Sequence, residues 1–97
     1  MITPTIGRVV WYWPPSSFKN VSWNDKTQPL AAHVAYVHSD TMVNLLVIDQ
    51  NGVAHSVCSV HLHQEEAERP EGGFAEWMPY QKGQAAKTEA LEKALAS

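Results

Sequence analysis

Pro14-Pro15 ends a run of β-branched and aromatic residues, and no strand continues through it, because proline lacks the N–H that a strand ladder needs. Similar punctuation recurs along the chain. Residues 5–13, 30–38, 42–48, 53–62 and 74–78 are short apolar or alternating segments, separated by Pro14-Pro15, Ser39-Asp40, Gln50-Asn51-Gly52 and the Pro70–Gly73 region. These are the marks of strands joined by tight turns. Residues 42–48 are apolar almost throughout, which predicts a strand that is either buried on both faces or central in the sheet.

After Gly83 the period changes. Residues 84–96 are rich in Ala, Leu, Glu and Lys, the best helix formers, and Glu89 and Lys93 stand in the favourable i, i+4 order. The expected fold is mainly β: a small five-stranded SH3-like barrel, with an OB-like barrel as the alternative, over residues 1–83, then a C-terminal helix over 84–97. A core drawn from Val9, Trp11, Val34, Tyr36, Leu45, Val47, Val60 and Leu62 follows from the alternation. The helix has only a narrow Leu91/Leu95 stripe, too little to stand alone, so it is expected to dock on the barrel or on another subunit. A homo-oligomer follows from the second choice.

Composition excludes several classes of function. Lys and Arg number 7 against 10 Asp and Glu, for a formal charge of −3, which argues against neutralising the phosphates of polymeric nucleic acid. The same value is weak for an acidic surface that mimics DNA. No apolar run approaches the ~20 residues of a membrane span, and no signal peptide is readable, so a cytosolic location is expected. The lone Cys58 excludes an internal disulfide and a multi-cysteine zinc site.

Candidate chemistry is sparse. His55, His61 and His63 share one face of an uninterrupted strand, but no third metal ligand follows at a recognisable spacing. Cys58 reads as a small buried hydrophobe rather than a nucleophile. Glu65, Glu66, Glu68 and Glu71 read as a solvated charge run. No nucleophile elbow or phosphate loop is present. The expectation is therefore a protein without catalytic residues, metal or cofactor.

The aromatic groups carry the stronger signal. Three of the 4 tryptophans, Trp11, Trp13 and Trp23, lie in the first quarter of the chain. The long polar segment 16–29 adds Phe18, Lys19 and Lys26, and Arg8 lies within the first strand segment. Rings beside cations are suited to stacking on a base and meeting a phosphate. Arg8, Trp13, Phe18, Lys19, Trp23 and Lys26 are the expected ligand-binding set.

The order Ile6-Gly7-Arg8-Val9-Val10-Trp11-Tyr12, Ala31-Ala32-His33-Val34, Val43-Asn44-Leu45, Ser59-Val60 and Gly73-Phe74-Ala75-Glu76-Trp77 resembles a set of small accessory proteins of tailed phages and prophages. The likeness spans roughly residues 5–80. Members of that set often end in a Trp-His-Trp-Pro-like segment, where this chain has Glu76-Trp77-Met78-Pro79. The resemblance brings no catalytic residues. It implies a virus-encoded protein acting in the host bacterial cytoplasm in counter-defence. Such a protein would capture a small anionic or nucleotide-like ligand by stoichiometric binding; alternatively it would mask a host protein. Enzymatic degradation of a nucleotide signal is a remote third reading.

Overall fold

The computed structural model describes residues 2–64, 70 and 73–96. Five strands, β1 (Val9–Trp13), β2 (Leu30–Ser39), β3 (Met42–Ile48), β4 (Ala54–His63) and β5 (Phe74–Glu76), close into a barrel in the order β1-β2-β3-β4-β5, and α1 (Pro79–Ala96) follows. All neighbours are antiparallel except β4 and β5, and β5 pairs with β1 to complete the ring. This is the expected small, mainly β, SH3- or OB-like barrel with a C-terminal helix. The helix begins earlier than expected, at Pro79, because proline is favoured in a first helical turn, where its missing N–H is not needed.

Inside the barrel lie Val10, Tyr12, Leu30, Ala32, Val34, Val43, Leu45, Val47, Val60, Leu62, Ala75 and Trp77. Val34, Leu45, Val47, Val60 and Leu62 were expected there. Val9 and Trp11 were also expected inside, but both are half-buried on the outer face, and Val10 and Tyr12 point in. The segment Val9–Trp13 is apolar at every position, so alternation gave no sign of which face turns inward. Small partners decide it: Val10 stands opposite Ala32, and Tyr12 opposite Ala75, which leaves room for the Tyr12 ring inside a narrow barrel. Burial there pushes the Tyr12 hydroxyl pKa up.

Two bulges account for the other departures. Val34 pairs with Leu45 but Tyr36 pairs with Asn44, so Ala35 is an extra residue and the inward parity of β2 switches. Tyr36, expected in the core, is consequently exposed, and Val37 takes the inward position beside the core. In β4, Val57 faces Leu45 and Val60 faces Val43, which inserts one residue at Cys58-Ser59, with Ser59 at φ 56°. Asn44 spans both irregularities. Its Oδ1 accepts from the Ser59 N–H at 2.8 Å and lies 3.0 Å from His38 Nε2.

The β4 bulge also separates His55 from His61 and His63. His55 pairs with the inward Val47, whereas His61 pairs with the exposed Met42 on the outside. The expected common face for His55, His61 and His63 is broken. Cys58, expected to be buried, is exposed at the bulge. β3 alternates rather than being buried on both sides, leaving Met42 and Leu46 exposed.

Gln64 closes one end of the barrel. Its amide nitrogen donates to the carbonyls of Ile2 and Asp40, each at 2.7 Å, and its oxygen accepts from Trp77 Nε1 at 3.1 Å. The expected loop glutamates Glu65, Glu66, Glu68 and Glu71 lie outside the described residues, as do the side chains of Glu89 and Lys93. No helix among the described residues is long and apolar enough to cross a membrane.

Candidate functional site

The segment between β1 and β2 is long, but it is stapled down. Asp49, whose side chain is 1% exposed, lies 2.9 Å from His55 Nε2 and accepts from the backbone N–H groups of Ser22, Asn51 and Val53 at 2.9–3.3 Å. The His55 hydrogen bond, followed by those of Val53, Asn51 and Ser22, outweighs the opposing effect of desolvation. Together they hold the Asp49 carboxyl at a pKa of about 2, below the ordinary 3.8. Gln50 N–H donates to the Ser22 carbonyl at 3.1 Å, and Asn24 N–H donates to Gln50 Oε1 at 2.7 Å. The β3–β4 turn and the long segment are thus one platform.

Within that platform the segment from Trp23 to Gln28 folds on itself. Asp25 accepts from Thr27 N–H and Oγ1 at 3.0 and 2.6 Å and from Gln28 Nε2 at 3.1 Å, and the Thr27 bonds foremost lower its pKa. Trp23 Nε1 donates to the Gln28 carbonyl at 2.7 Å. Lys26 Nζ donates to the Trp23 carbonyl at 2.6 Å and lies 4.0 Å from the centre of the same indole. Trp23 meets Trp13 edge to face, with centroids 6.4 Å apart at 69°.

The structure therefore brings together three of the expected ligand residues, Trp13, Trp23 and Lys26. The others are dispersed. Phe18 packs on the core, 6.3 Å from the Tyr12 ring and 5.7 Å from that of His55, so it plugs the barrel. Arg8 sits with its guanidinium carbon 5.9 Å from the centre of Trp77, and Lys19 is exposed beside Asn20, which adopts φ 65°. Trp23 already carries its own cation on a ring face. An open platform has to be sought elsewhere.

It is found at Trp11. On the outer face Trp11 stands opposite Ala31, and Val9 lies two residues before it. Thr27, Gln28, Pro29 and Met78 complete the lining of a groove over these residues, which encloses about 490 Å³. Its lining is apolar apart from Thr27 and Gln28, the two side chains that Asp25 orients. A second cleft of about 290 Å³ lies beyond Pro29, lined by Trp23, Asp25 and Asp49 among others, and its carboxylates disfavour an anion.

Comparison with known proteins finds no match to a family model, a curated protein or a solved structure.

Trp11, Gln28 and Met78, which line the candidate groove, were not among the ligand-binding residues expected from the sequence. The available signal was the alternation of rings in Trp11-Tyr12-Trp13, which requires large rings on both faces of one strand; the faces were assigned the wrong way round. Among the described residues no three His, Cys, Asp or Glu side chains gather at metal-binding distance, and the rings of His61 and His63 are 6.4 Å apart.

Proposed function

We propose that the chain is a non-catalytic binding protein that captures a small nucleotide-like ligand, seating its planar base in the groove over Trp11. The observation that carries this reading is the groove itself. Ligand sites are concave, of about 300–1,000 Å³, mostly apolar, and fitted with a few fixed polar groups. The 490 Å³ groove has an indole, a thioether and a proline in its lining, and one hydroxyl and one amide that can meet a base edge. Lys26, one residue before Thr27, is the cation proposed to meet a phosphate, leaving the Trp23 ring as it does so. Because Asp25 fixes Thr27 and Gln28 in advance, little ordering entropy is lost on binding.

Calorimetric titration with AMP, GMP and cyclic dinucleotides tests the reading. At least one probe should bind at a stoichiometric ratio and be recovered chemically intact. Stacking on an aromatic ring is worth about 1–3 kcal/mol, so Trp11→Ala should weaken that binding roughly 5- to 150-fold. Absence of binding by every probe, or conversion of a probe to product, contradicts capture. The resemblance to phage accessory proteins supports a counter-defence role in the host bacterial cytoplasm for such capture.

A second reading has one observation in its favour. Beyond the groove the outer face continues through Ala31 and Ile48 to Leu46, which is 42% exposed, and such a continuous apolar face suits a host protein that the chain would mask.

A further inference from the structure

We propose that the protein is a homodimer closed by antiparallel pairing of α1 with α1 of a second copy. Within one chain the helix is almost unsupported. Gln81 anchors its first turn to β1, but every described side chain from Lys82 onward is exposed, and Leu91 and Leu95 are 61% and 78% exposed. Among the described residues no strand packs extensively against it. A lone helix of this length, interrupted by Gly83, is marginal in water.

The chain exposes 6345 Å², whereas a compact monomer of its mass exposes about 5,500 Å². The surplus of about 800 Å² reflects a helix that projects from the barrel instead of folding back on it. The molecule is correspondingly elongated, 52 Å along its longest axis against 25 and 23 Å across.

Charge selects both the occupant and its direction. The first turn has no acidic residue; in sequence the first half of the helix carries Lys82 and Lys87, and the second half carries Glu89, Glu92 and Lys93. Lys82 in the first turn opposes the helix dipole, and no acidic residue there offsets it. Antiparallel pairing sets the basic half of each copy against the acidic half of the other, and sets the two dipoles head to tail. It also covers the Leu91/Leu95 stripe of both chains.

Sedimentation velocity on the full chain across the micromolar range tests this. The expected species has about twice the 10.8 kDa chain mass. Leu91→Glu/Leu95→Glu should give a monomer with unchanged near-ultraviolet dichroism, since neither leucine is part of the barrel core. Lys82→Glu/Lys87→Glu should weaken association roughly tenfold or more through like charges, and adding Glu89→Lys/Glu92→Lys should restore it. Trp11→Ala should remain dimeric. A monomeric parent, a dimeric leucine variant, or charge reversal without rescue overturns the proposal. So does dissociation by Trp11→Ala, which would place the helix on the partner's groove instead.

Discussion

The Gln81 side-chain amide donates to the Val9 carbonyl at 2.8 Å, across 72 positions of sequence. Its other atom, Oε1, accepts from Met78 N–H, also at 2.8 Å. Val9 and Met78 both line the groove, so one side chain fixes the spacing of its walls and the exit of the chain into α1. Gln81→Ala leaves a carbonyl and an N–H without their partner in a half-buried place. Chemical denaturation should show a loss of about 1–2 kcal/mol. Nucleotide affinity should fall with it, because the walls are no longer held.

Asp49 makes the fold sensitive to acid. Its pKa is about 2 in the folded chain and near 3.8 when unconstrained. Below pH ~4 the unfolded chain therefore binds more protons, and stability falls as the pH falls. The contribution is complete above that pH and is lost on descending through pH ~2. Melting temperatures of Asp49→Asn should be lower than the parent's at neutral pH and flatter between pH 4 and 2. Asp25, shifted in the same direction, leaves some slope behind.

Trp23 and Lys26 should separate in mutagenesis. Trp23 packs on the core, meets Trp13 and donates to the Gln28 carbonyl, so Trp23→Ala removes a structural support. Large aromatic truncations in cores cost about 3–5 kcal/mol, and this half-buried ring should lie at or just below that range in urea unfolding. Lys26→Ala removes an exposed cation from the ring, an interaction of about 0.5–1 kcal/mol at such sites. It should barely move stability while lowering affinity for phosphate-bearing probes.

Ser59 holds a left-handed conformation in the bulge that sets the inward parity of β4. Glycine takes that conformation without penalty, whereas a β-branched residue does not. Ser59→Gly should be neutral or slightly stabilising in thermal unfolding, and Ser59→Val clearly destabilising. Asn44→Ala should also destabilise, since it frees the Ser59 N–H that its Oδ1 accepts.

Strand positions were legible because turn chemistry is local: Pro14-Pro15 and Gly52 mark ends that pairing does not alter. Residues 42–48 were placed with the bounds that β3 has. The faces were less legible. Ala35 and Ser59 are ordinary residues whose extra place in the ladder depends on the strand opposite, so nothing in their own sequence reports a parity switch. Asn44, the one polar residue in an apolar run, was the trace of both. Trp23 and Lys26 were legible because a long segment with isolated rings stands out; the structure brings them together with Trp13, but none of the three lines the groove over Trp11. Trp11 was lost to the core, since the small Ala32 and Ala75 that admit Tyr12 instead are remote in sequence.

Proton–nitrogen NMR of the full chain, titrated with a binding nucleotide, is the most direct test of capture over Trp11. The chain has 4 indole signals. Saturable shifts should be largest at the Trp11 indole and the Gln28 side-chain amide, with the Trp77 indole, which is inside the barrel, nearly still. Shifts confined to residues away from the groove, or none at all, would contradict the account.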